Sequence, residues 1–164
     1  MINRINWPAG FEPANSPIHA ANEIEINARP DLIWRRLIEA PRWPEYYPHA
    51  SEIRLPAGED ALRSGIQFTW VTAEKKLVTT VKEYVPNERI AWEAVLADDA
   101  SSTAYHAWLI TPTDGGCHVL TEETQQGPFW KELAKTMPDG LHHFHQEWVE
   151  KLAEVAETDA AETR

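Results

Sequence analysis

Cys117 is the only cysteine in this 164-residue chain, which excludes an internal disulfide and a metal cage built from thiolates, and nothing points to an oxidising compartment. Positive charge is also scarce, with 15 Lys and Arg against 26 Asp and Glu and a formal net charge of −11. Such a field repels phosphate backbones and anionic headgroups, so neither nucleic acid nor a membrane surface is an expected partner. No stretch approaches the roughly 18 apolar residues of a membrane span, and the opening MINRINWPAGFEPANSP has no apolar run behind its arginine. The expectation is a cytoplasmic protein without membrane insertion, monomeric or homodimeric.

What is present is tryptophan. Eight are spread over the chain, at positions 7, 34, 43, 70, 92, 108, 130 and 148, enough to build a large aromatic interior. The length fits one domain with one core, and 43% hydrophobic with 25% charged residues is the balance of a chain that folds on its own.

Residues 1–20 carry Pro8, Gly10, Pro13 and Pro17 without periodicity and read as an irregular arm lying over the domain or disordered. From Asn22 the alternation NEIEIN places Ile24 and Ile26 on one face of a strand. In ARPDLIWRRLIEA, Pro30 suits a first helical turn, Asp31 favours the positive dipole end, and Ile33, Trp34, Leu37 and Ile38 recur at helical spacing. RWPEYYP (42–48) allows only a short helical turn.

The period then becomes two. Segments 50–55, 65–72, 76–85, 89–96, 103–111 and 117–125 are bounded by turn chemistry such as PAGED, VPNE, ADDASS and TDGG. With the first strand they make a seven-stranded, largely antiparallel sheet. GPFWKELAKTM and a longer segment from Pro138 to about Glu157 are helical, the latter with Leu141, Phe144, Trp148, Leu152 and Val155 at three- and four-residue steps. Residues 158–164 show no apolar face and are expected to fray. The domain therefore spans 21–157.

Seven strands at about 4.8 Å each give a sheet about 34 Å wide, whereas a helix with its side chains is about 10–12 Å across. One terminal helix cannot fill the concave face, and the remainder is either filled by large side chains and the short helices or left as a pocket. Phe68, Trp70, Val81, Trp92 and Trp108 are candidates to line it, as aromatic residues line small-molecule sites of about 300–1,000 Å³.

The segment I-x-A-x-P-x-x-I-W-x-x-L (Ile26, Ala28, Pro30, Ile33, Trp34, Leu37) followed by WPEYYP resembles the start of the START-related SRPBCC superfamily. Gly65, Phe68 and Trp70, then Val81, Glu83 and Pro86, then Trp108 to Pro112 with Gly115 and Gly116, are similar to its polyketide cyclase/dehydrase-like branch. The resemblance covers residues 21 to about 156. It implies a Bet v1-like helix-grip α+β fold with a deep hydrophobic cavity between sheet and terminal helix. It implies no particular reaction, since such proteins include lipid and hormone carriers as well as aromatase/cyclases. The expected ligand-binding set is Phe68, Trp70, Val81, Trp92, Trp108, Ile110, Trp130, Leu141, His145 and Trp148.

Asp114-Gly115 is a preferred centre for a two-residue hairpin turn, and in that register His106 lies opposite Glu123. On the cavity face, Glu123 would hold the His106 tautomer and leave the other ring nitrogen to move a proton on a bound molecule. A three-residue loop would instead bring His106 opposite Thr124, and Tyr105, Ala107 and Leu109 with Leu120 form an alternative inward set. The HHFH run at 142–145 lacks metal-ligand spacing on a helix, and the two-His-one-carboxylate spacing of iron-binding relatives is absent, so neither metal nor cofactor is expected. His145 is read as packed near the cavity mouth, His143 as solvated, and Glu83 as lying near the sheet end. The functional expectation is binding of an aromatic, polyketide-like or acyl small molecule, the alternative being a cyclase/dehydratase-type lyase using His106 and Glu123.

Overall fold

Period-two alternation becomes seven strands in the computed structural model, which describes residues 4–164. The order along the chain is β1 (Ile18–Ile26), α1 (Pro30–Ile38), a short 3-10 turn (Ala40–Glu45), β2 (Ser51–Arg54), β3 (Gln67–Thr72), β4 (Lys75–Val85), β5 (Arg89–Leu96), β6 (Asp99–Thr113), β7 (Gly116–Gln126), α2 (Pro128–Thr136) and α3 (Gly140–Glu162). Every neighbouring pair is antiparallel, in the order β1-β7-β6-β5-β4-β3-β2, so the first strand closes the sheet beside the last. The curved sheet with α3 laid against β1 and α1 is the helix-grip α+β fold the sequence implies.

Local chemistry explains the ends of the elements. Pro30 opens α1 with Asp31 in its first turn, and Arg35 and Arg36 close it at the negative end of the dipole. Arg36 then grips α3, its Nε and Nη2 donating to Asp159 at 2.7 and 2.8 Å. This contact, with Ala156 and Ala160 buried beside it, carries α3 through to Glu162 instead of letting it fray from residue 158. The alanines form a face too small to register as apolar in the sequence.

The arm is also more ordered than its composition suggests. β1 begins at Ile18, and Ile5, Trp7 and Phe11 pack on Ala91, Tyr105, Ala107, Leu109 and Leu120. Thr124 Oγ1 donates to the Phe11 carbonyl at 2.7 Å. The arm thereby covers the outer face of the sheet, and residues 1–3 lie outside the described set. Both faces of β6 are consequently buried. Ala104, His106, Trp108 and Ile110 face the main core, while Tyr105, Ala107 and Leu109 face the arm. That is why periodicity left two apolar sets on this strand.

Candidate functional site

The concavity is narrower than sheet width alone implies, because the 3-10 turn delivers Trp43 into it. Trp43 is fully buried, donates its indole N–H to the Leu37 carbonyl at 3.1 Å, and meets Trp70, Trp92 and Trp148 with ring centroids 5.3, 5.5 and 5.2 Å apart. Tyr47 stacks on Trp148 at 4.2 Å. These rings close most of the space under α3. The residual cavity is about 70 Å³, well below the usual range for ligand sites of about 300–1,000 Å³.

Of the ligand-facing set expected from sequence, Trp70, Trp92, Trp130, Leu141, His145 and Trp148 border this cavity, as do His106 and Glu123. Phe68, Val81, Trp108 and Ile110 do not. They are buried in packed core, where Phe68 lies 6.0 Å from Trp43 and Trp108 lies 5.2 Å from Trp148, because rings from the 3-10 turn and α3 occupy the volume they would otherwise line. Sequence reasoning missed Tyr47, Gln125 and Phe144 on the wall; the aromatic density of RWPEYYP was the available signal for Tyr47. The wall runs out to exposed Ala73, Met137 and Pro138, which form a mouth between the β3–β4 turn and the α2–α3 junction.

At the inner end lies a polar chain. The β6–β7 hairpin pairs Thr113 with Gly116 and therefore His106 with Glu123, the register of a two-residue turn. A side chain on Gly116 would collide with the Ile26 carbonyl as β1 crosses the hairpin. Thr121, fully buried, donates its hydroxyl hydrogen to the Ala107 carbonyl at 2.9 Å. A hydroxyl has one hydrogen, so the 2.7 Å contact from His106 Nε2 to Thr121 Oγ1 has the imidazole as donor. His106 is thus the Nε2–H tautomer, and its bare Nδ1 lies 3.3 Å from Glu123 Oε1. The other carboxyl oxygen accepts from Gln125 Nε2 at 2.7 Å.

The proton inventory follows from burial. Desolvation pushes the Glu123 carboxyl up to about 8, against the opposing hydrogen bond from Gln125. Desolvation, with His145 adding to it, holds His106 well below the ordinary histidine range. Burial, helped by His142, brings His145 down to about 3. At neutral pH the three groups are therefore uncharged, and the Glu123–His106 contact is an acid against an imidazole rather than an ion pair. His145 stacks on His106 with centroids 4.4 Å apart and planes 9° from parallel. Two buried polar atoms on wall residues lack a partner, His145 Nδ1 and Trp130 Nε1.

The ligating atoms of His106, Glu123 and His145 lie within 4.8 Å of one another, a gathering that helical spacing within HHFH could not reveal. Stacked rings hold their nitrogen lone pairs in parallel planes, so an ion in the plane of one imidazole sits out of the plane of the other. The arrangement is suited to holding protons rather than chelation. Outside the cluster, His143 is exposed, the His142 carbonyl and ring meet the Asn22 amide, and Glu83 is bound to Arg89 and Asn6 at 3.2 and 2.7 Å, away from the cavity.

Among the described residues no helix is long and apolar enough to cross a membrane. No curated protein matches the chain. A solved structure of the hypothetical protein jhp0584 from Helicobacter pylori is similar, with 25% identity, a TM-score of 0.87, and coverage of 95% of this chain and 98% of that one. Protein MLL2253 from Mesorhizobium loti is 19% identical with a TM-score of 0.66 over 86% of this chain and 98% of that one. The di-domain ARO/CYC StfQ from the steffimycin biosynthetic pathway is 16% identical with a TM-score of 0.70 over 87% of this chain, which spans 52% of StfQ. The last two likenesses concern the fold alone. Residues 17–157 match the family described as polyketide cyclase / dehydrase and lipid transport, and the chain therefore belongs to that family, within the polyketide cyclase/dehydrase-like branch of the SRPBCC superfamily.

Proposed function

We propose that this protein binds a small hydrophobic molecule in the cavity between its sheet and α3. The observation that carries the reading is a wall of indole and other apolar side chains, with Trp70, Trp92, Trp130 and Trp148 among them, that leads from a mouth at Met137 to buried Glu123 and His145. Of the aromatic, polyketide-like and acyl classes, the small volume favours a single ring, admitted by movement of the half-buried Leu141 and Phe144. Titration calorimetry with toluene, indole, naphthalene and decanoate tests it. Saturable one-to-one binding of toluene or indole is expected, and the absence of binding by all four would overturn it.

A second reading, acid–base catalysis of a dehydratase type, is favoured by the Glu123–His106 contact, though with the roles redistributed. Both ring nitrogens of His106 are engaged, Nε2 by Thr121 and Nδ1 facing Glu123, so His106 positions the acid. Glu123 turns its proton from His106 Nδ1 to a departing hydroxyl, and His145 Nδ1 takes the proton from the adjacent carbon. The C–H and C–O bonds break, a C=C bond forms, water leaves, and proton return from His145 to Glu123 resets the pair. With 3-hydroxycyclohexanone as probe, Glu123→Gln is expected to abolish formation of cyclohexenone while leaving affinity within about threefold; unchanged turnover would remove this reading and leave the binding one standing.

A further inference from the structure

We infer that the cavity selects uncharged ring compounds bearing an acceptor oxygen, ketones and phenols, over both plain hydrocarbons and carboxylates. The inference rests on the reading of this cavity as a ligand site and specifies its chemistry. Two sets of observations carry it, one about charge and one about hydrogen bonding.

The wall contains no lysine, arginine or aspartate, and its carboxylic acid is Glu123. A ligand carboxylate drawn into this space would give up its hydration and meet no cation, only a second carboxyl group and the indole rings. Burying an unpaired charge is among the most costly events in a protein interior, so carboxylates are rejected by what the wall lacks. The neutrality of the two stacked imidazoles, enforced by their burial, leaves them unable to serve as counter-ions without first taking up a proton where desolvation opposes it.

The hydrogen-bonding observation discriminates in the other direction. Trp130, 5% exposed, and His145, 4% exposed, both line the cavity, and each has a buried nitrogen without a partner. An indole N–H can only donate, so it is satisfied by an oxygen acceptor and by nothing a hydrocarbon offers. A phenol or enol hydroxyl, which both accepts and donates, also suits His145 Nδ1 in either tautomer. Protein groups left unpaired in a buried site penalise the ligand that fails to meet them, which is the strongest form of discrimination between molecules of equal size.

Calorimetric titration at pH 7 with four probes of one ring each, toluene, phenol, cyclohexanone and benzoate, separates the terms. Phenol and cyclohexanone are expected to bind about tenfold or more tightly than toluene, the effect of one recovered hydrogen bond to a buried donor, and benzoate about a hundredfold more weakly than phenol. In Trp130→Phe the advantage of phenol and cyclohexanone over toluene, each measured in that same variant, falls below about threefold. Independently of that variant, the indole N–H proton of Trp130 moves downfield with phenol in the unmodified protein and not with toluene. Toluene binding as tightly as phenol, or benzoate binding equally well, overturns the inference and leaves the cavity a ligand site. Failure of all four to bind overturns the site itself and the inference with it.

Discussion

His106 and His145 lie face to face beneath α3, their ring centroids 4.4 Å apart and their planes within 9° of parallel. One comes from the middle of β6 and the other from the second turn of α3, so the contact fixes how the terminal helix is rotated over the sheet. While Glu123 keeps its proton the pair stays uncharged, since a proton on either ring would be buried beside its neighbour with no anion in place.

Both rings are therefore expected to stay neutral at pH 5. Nitrogen-15 NMR of the ring nitrogens checks this directly. His106 should show the Nε2–H tautomer dictated by Thr121. An imidazolium pattern for either residue, or Nδ1–H at His106, would contradict the proton inventory.

Glu123 gives the fold a pH dependence of unusual sign. A carboxyl raised to about 8 keeps its proton in the folded state while the unfolded chain loses it near the ordinary value of 4.5. Its contribution to stability is intact below pH 4.5 and is lost as the pH rises through about 8. The depressed histidines act oppositely, lowering stability as pH falls below 6.5 towards about 3 for His145. Thermal melts from pH 5 to 9 should show Glu123→Gln flattening the alkaline decline; an unchanged slope would mean that Glu123 is ionised in the fold.

Thr121 ends the hydrogen-bonded series that runs from Glu123 through His106, and Thr121→Val keeps its shape while removing the hydroxyl. It strands the His106 Nε2–H, so a loss of about 1–3 kcal/mol is expected in urea unfolding. A change under about 0.5 kcal/mol would show that the hydroxyl is replaced by water, and the tautomer argument would fail with it.

Trp43 is the side chain that narrows the cavity. Trp43→Ala is expected to cost about 3–5 kcal/mol and to leave a space that added indole fills, raising the melting temperature of the variant in a concentration-dependent way. Equal stabilisation of the unmodified protein by indole would show that Trp43 does not set the cavity size.

Much of this was legible in the residues. Alternation located the seven strands, and Asp114-Gly115 narrowed the hairpin to two registers, of which the fold takes the two-residue turn that brings His106 to Glu123. The approach of His145 was not legible, since it depends on the rotation of α3 about its own axis, which Ala156, Asp159 and Ala160 help to set through contacts that carry little apolar signal. Nor was the plug. Trp43 sits in a proline-rich turn whose direction of entry is decided by packing, including its bond to the Leu37 carbonyl, rather than by any local pattern. The same holds for the expectation that Phe68, Val81, Trp108 and Ile110 line the ligand wall. Parity puts them on the inner face, and only the helices decide what stands in front of them.

The eight indole N–H signals offer the most direct test of the central claim, that the space beneath α3 takes up a guest. During titration with toluene, the signals of Trp70, Trp92 and Trp148, which border the cavity, should shift along one saturable curve, while those of Trp7 under the arm and Trp34 against Tyr84 stay still. Stationary signals throughout, or shifts confined to Trp7 and Trp34, would contradict it.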